Sequence, residues 1–185
     1  MSQAQLNQTG VNHLELKPAG HYGELGMIFD VYIDGVCLLD NITEFEKRFH
    51  DRINGAYTAA LGCEDIMHCM LPPDNSDPKE KYNKIKHDKS EPEGQRFMPY
   101  ACDCGQWECW VFQGFITGYD DFIFWGQWRN PNRDDKSKKA DGLYWNYKEF
   151  PTLCFDKSLY LAEIEKAQAL VKTDKASLKV LGLYP

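Results

Sequence analysis

The sequence predicts an α+β fold: a mainly antiparallel sheet built from hairpins, with a short helix in its N-terminal half and an amphipathic C-terminal helix packed on it. Three observations carry that expectation. Asp34-Gly35 separates two β-rich runs, two aromatic-rich runs flank Gly118-Tyr119-Asp120-Asp121, and an apolar stripe at helical spacing follows Asp156.

Taken in order, residues 27–33 (MIFDVYI) alternate apolar and polar, and residues 36–39 (VCLL) follow the Asp-Gly pair. A two-residue type I′ turn needs φ > 0 at both central positions, which Asp-Gly supplies, so the segment reads as a hairpin. Thr43-x-x-Glu46 has the form of a capping box and predicts a helix opening there and running to about His50. Residues 54–70 contain small side chains and glycine and read as loop plus a short helix. Residues 72–95 hold four prolines, many charges and almost no apolar side chains. Such a stretch buries too little to offset its ordering entropy, so it reads as a charged, mobile insertion in a single domain of residues 1–185.

Residues 108–117 and 122–128 then read as long strands joined by a four-residue loop. Residues 130–142 read as a charged loop and 143–147 (LYWNY) as a short strand. Asp156 stands where an N-cap belongs, ahead of a helix over 157–172. Tyr160, Ile164, Ala167 and Val171 fall on one face of it, with Glu163, Glu165 and Lys166 off that face. Residues 178–184 read as an edge strand.

Composition narrows the function classes. The 185 residues carry a formal charge of −7 and an isoelectric point near 5.2, which argues against nucleic acid as partner, because phosphate neutralisation needs surplus Lys and Arg. The lysines of the insertion (Lys79, Lys81, Lys84, Lys86, Lys89) are nearly cancelled by interspersed acids. No apolar run approaches the roughly 20 residues that span a bilayer, and the N-terminus lacks the basic and apolar regions of a signal peptide. Seven cysteines, an odd and clustered set, fit reduced thiols in a cytoplasmic protein.

Three constellations could carry chemistry. Cys102, Cys104 and Cys109 could supply three ligands of a tetrahedral zinc, with the fourth from Cys63, His68 or Cys69. The spacing C-x-C-x4-C is not that of paired CxxC knuckles, and small buried thiols at a tight turn explain the same residues. Cys63 or Cys109 could act as a nucleophile, but no histidine stands beside either in a known signature. The pairs Asp120-Asp121 and Asp134-Asp135 suit turns, since adjacent carboxylates point apart where acid–base catalysis needs them convergent. The segment 20–26 (GHYGELG) has neither order of glycines that cradles phosphate, and no GxSxG elbow is present. No catalytic site emerges, and no cofactor is expected beyond a possible zinc.

Several segments, in order, resemble a bacterial protein family: the hairpin FDVYIDGVCLLD, the stretch NITEFEKRF, and the turn Cys102-Asp-Cys104-Gly105 through Cys109-Trp110. Then follow Phe122-Ile123-Phe124-Trp125, the loop Asn130-Pro131-Asn132-Arg133, and a closing Trp145-Asn-Tyr147 with Phe155-Asp156 through Tyr160. Glu108 stands where relatives have glycine, and the insertion is longer than theirs. The resemblance implies an immunity protein of a polymorphic or contact-dependent toxin system, non-catalytic and cytoplasmic, whose partner is a cognate toxin domain. Acidity fits a basic toxin, and Asp120, Asp121, Asp134 and Asp135 are the candidate contacts. The alternative is a zinc-binding regulatory or adaptor module on the cysteine turn.

Overall fold

The computed structural model describes residues 10–49, 57–72, 94–104 and 110–183. Cys109 and residues 73–93 of the expected insertion lie outside them. Two antiparallel sheets form the scaffold. The first has three strands in the order β1 (Leu14–Tyr22), β2 (Gly26–Ile33) and β3 (Val36–Cys37). The second has five: β4 (Tyr57–Ala59), β5 (Gln95–Cys102), β6 (Val111–Tyr119), β7 (Phe122–Arg129) and β8 (Leu153–Asp156). Single bridges join the sheets at both edges: Asn12 to Phe155 beside β8, and Phe29 to Leu61 beyond β4. The architecture is therefore α+β and antiparallel, as the sequence predicts.

The Asp34-Gly35 turn forms as expected. Both residues have positive φ (53° and 81°), and Ile33 pairs with Val36 across it. The second strand is shorter than expected, because Leu38 already begins α1 (Leu38–Glu46). The capping box is thus corrected: Thr43 and Glu46 lie in the second half of that helix, not at its start. Leu38, Ile42 and Phe45 make its buried face, and Glu46 falls on the same stripe.

The turn between β6 and β7 has two residues instead of four, since Tyr119 pairs with Phe122. Residues 143–147 make no strand: Trp145 and Tyr147 are buried alternately, but the segment has no ladder partner. The C-terminal helix α2 (Lys157–Thr173) forms where expected. The Asp156 carboxylate accepts from the backbone of Ser158 and Leu159, and Tyr160, Ile164, Ala167 and Val171 are its buried residues. The tail is corrected from strand to helix, α3 (Lys175–Val180), because the Asp174 side chain caps it by accepting from Ser177 N–H. Strands β1, β4, β5 and β8 have no counterpart in the sequence reading.

One core runs between the sheets and α2. Trp125 is fully buried, tilted against Phe97 and edge-on to Phe155, and its indole N–H donates to the Tyr160 hydroxyl at 3.2 Å. That hydroxyl in turn donates to the Met70 carbonyl at 2.6 Å, so the centre of the core is closed by polar as well as apolar contacts. Among the described residues, no helix is long and apolar enough to cross a membrane.

Candidate functional site

Strand β7 organises the candidate residues, with one aspartate pair at each end. At its start, Asp120 adopts φ +50°, a left-handed conformation that Asp tolerates better than most residues. Tyr119 is 72% exposed and Phe122 38% exposed on either side of the two aspartates. The first turn of α2 lies against this tip: Lys157 N–H donates to the Asp121 carbonyl at 2.9 Å, and Phe122 pairs with Asp156. Bonds from Ser158 hold the Asp156 carboxyl below its usual range, so it adds a third fixed negative charge. Leu159, in the same first turn of α2, is 63% exposed.

The far end is built differently. The seven residue steps of β7 separate the two ends by about 23 Å, so the four aspartates do not converge on one surface. Asp135 caps a 3-10 turn, accepting from Ser137 N–H at 2.9 Å and its hydroxyl at 2.7 Å, and these bonds lower its pKa. Asp134 lines a cleft of about 340 Å³ together with Arg129, Lys136 and Lys148, over a floor that includes Trp128 and Trp145. The Arg133 guanidinium lies 4.5 Å from the Trp110 ring centre and 5.8 Å from that of Trp145, a cation–π cage.

Behind the cleft sits a polar group that the sequence reading missed. Glu46 is fully buried and accepts from the Tyr57 hydroxyl at 2.7 Å and from the Tyr147 hydroxyl. Asn130, also fully buried, donates to Tyr57 at 3.3 Å and caps the next turn by accepting from Asn132 N–H at 3.0 Å. Burial raises both tyrosine pKa values, reinforced at Tyr57 by the Glu46 charge and at Tyr147 by Tyr57 and then Glu46. The available signal was Glu46 on the apolar stripe of Leu38 and Ile42, a place where an acid has to find partners.

The cysteines divide into two regions. Cys102 ends β5, and its thiol lies 2.9 Å from that of Cys104. The antiparallel register carries the segment 63–69 away from them: Tyr57 faces Cys102, while Ala60 already bonds Pro99. Cys63 is fully buried and donates to the Ser177 carbonyl at 3.9 Å, and burial pushes its thiol up, away from the thiolate a nucleophile needs. Cys69 bonds Asp65 within a single π-helical turn (Asp65–Cys69). Among the described residues, no three His, Cys, Asp or Glu side chains gather as a metal would require.

The chain matches no family model, no curated protein and no solved structure. The tip of β6–β7 combines exposed aromatic area with fixed negative charge. The far end combines a basic-sided cleft with a braced interior.

Proposed function

We propose that this protein is a non-catalytic immunity protein, which binds a cognate bacterial toxin domain and occludes it. The observation that carries the reading is the β6–β7 tip, where Tyr119 and Phe122 are exposed beside Asp120 and Asp121. Aromatic side chains with an apolar body are the usual anchors of a binding surface. An acidic border speeds encounter with a basic partner and rejects acidic ones. A two-residue turn on a paired ladder holds these side chains with little loss of entropy on binding. The ordered resemblance to suspected immunity proteins and the net charge of −7 support the same reading.

The test is protection. The C-terminal domain encoded by the neighbouring upstream reading frame is expressed in a susceptible cell with and without this protein. Growth restored by the wild-type chain is the expected result, with Tyr119→Ala and Phe122→Ala each weakening the purified complex about tenfold or more. A toxin unaffected by this protein removes the proposal. Protection that survives both substitutions moves the interface away from the tip.

A further inference from the structure

The cysteine turn is the feature that toxin binding leaves unused. Cys102 is the last residue of β5 and is 8% exposed, whereas Cys104, two residues on, is exposed in the turn that follows. Neither is in a disulfide, and their sulfurs approach to 2.9 Å. Among the described residues it is the only contact between two thiols. Three of the other described cysteines face different groups: Cys37 the Tyr100 hydroxyl, Cys63 the Ser177 carbonyl and Cys69 the Asp65 carboxylate.

We propose that Cys102 and Cys104 form a dithiol pair that is oxidised reversibly by low-molecular-weight disulfides such as oxidised glutathione. Exposure assigns the roles. The Cys104 thiolate attacks one sulfur of the small disulfide, forming a mixed disulfide and releasing the first small thiolate. The Cys102 thiolate then attacks the Cys104 sulfur, closing the intramolecular bond and releasing the second. The two protons lost by Cys102 and Cys104 end on the two small thiols. The protein is oxidised by two electrons and the small disulfide is reduced by two.

The second step is fast relative to escape because the resolving sulfur is already in contact, an effective concentration that no freely diffusing thiol matches. The product is easily reversed. A disulfide contributes more stability the longer the loop it closes, though only logarithmically, and a Cys-x-Cys bridge closes one of the shortest possible, so it belongs among the labile, oxidising disulfides.

The full-length reduced protein is incubated with excess oxidised glutathione and analysed by intact mass. Remaining free thiols are then alkylated and the cysteine-turn peptide is sequenced by tandem mass spectrometry. The expected result is a mass loss of two hydrogens, label on Cys109 and none on Cys102 or Cys104, and full reversal by reduced glutathione. Cys109→Ser keeps that loss and Cys104→Ser, an exposed position that leaves the fold intact, abolishes it. A stable glutathione adduct on Cys104, a bridge from Cys104 to Cys109, or thiols that oxidise only after a zinc chelator is added would each overturn the proposal.

Discussion

The two ends of β7 use the same residue types for opposite purposes. At the start of the strand, carboxylates and aromatic rings face solvent: Asp120 and Asp121 stand between Tyr119 and Phe122. At its end, a carboxylate and aromatic rings face inward, where Glu46 is enclosed by Tyr57 and Tyr147 next to Asn130. The inner group ties α1, β4, the start of the 3-10 turn after β7 and the strand-like segment at Tyr147 into one unit. The outer group joins only its own turn to the end of β8 and the first turn of α2 among the described residues. A charged residue near an aromatic cluster is therefore no guide to function until its burial is known. Buried, it is committed to the fold; exposed, it is available to a partner.

The sharpest way to break this comparison is to remove the buried acid. Glu46→Ala leaves two enclosed hydroxyl donors without their acceptor, at a cost of about 1–3 kcal/mol for each. The variant should lose about 3 kcal/mol or more in a denaturant titration, with Glu46→Gln, which keeps a carbonyl acceptor, losing less. A loss below about 1 kcal/mol in Glu46→Ala would mean that the inner group is no more committed to the fold than the tip.

Alkaline pH probes the same group from the tyrosine side. Burial raises the folded-state pKa of Tyr57 and Tyr147 above the ordinary value near 10, and it does the same for Tyr100 and Tyr160 in the core. A group whose folded pKa is raised holds its proton more tightly when folded, so its contribution is complete below the unfolded pKa and lost as pH rises above it. Stability should accordingly be flat on this account up to about pH 9 and fall above pH 10, by up to about 1.4 kcal/mol per pH unit for each such tyrosine. Denaturation midpoints measured between pH 8 and pH 11 give the slope, and Tyr147→Phe should make it shallower. An identical slope in that variant would show that Tyr147 ionises as freely folded as unfolded.

The outer end was far more legible in the sequence than the inner one, for physical reasons that particular residues make plain. Turn chemistry is local: Asp34-Gly35 and Asp120-Asp121 mark their turns with only the flanking strands as context. The same holds for α2, where the Asp156 cap and the Tyr160, Ile164, Ala167, Val171 stripe are all visible within one helix. Burial of Glu46 depends on Tyr57 and Tyr147, the latter 101 residues away, so its local pattern suggested a cap instead. Strand β1 hid because its alternation ends at Leu16, before Pro18 and a register shift to Gly20. Strand β8 is only four residues long. Residues 143–147 misled in the other direction: Trp145 and Tyr147 alternate inward as in a strand, yet pack without a ladder. The aspartate pairs were visible as turn residues, but their separation depends on the length of β7 between them and on where the chain turns after it, which no local pattern states.

The smallest expected effect on stability is at the tip, and it is the one that gives the comparison functional meaning. Asp120→Asn and Asp121→Asn together remove two charges, while Asn keeps the left-handed conformation that Asp120 adopts at φ +50°. Lys157 bonds the two residues through their backbone carbonyls, not their carboxylates, so its contacts survive the substitution. Stability should change by no more than about 0.5 kcal/mol. Association with a basic toxin domain should slow, and its dependence on added salt should flatten, because the charges that steer encounter are gone. A double variant that is destabilised as much as Glu46→Ala would erase the distinction between the two ends. One that is equally stable and associates at the wild-type rate at every salt concentration would leave Tyr119 and Phe122, without the aspartates, as the working part of the tip.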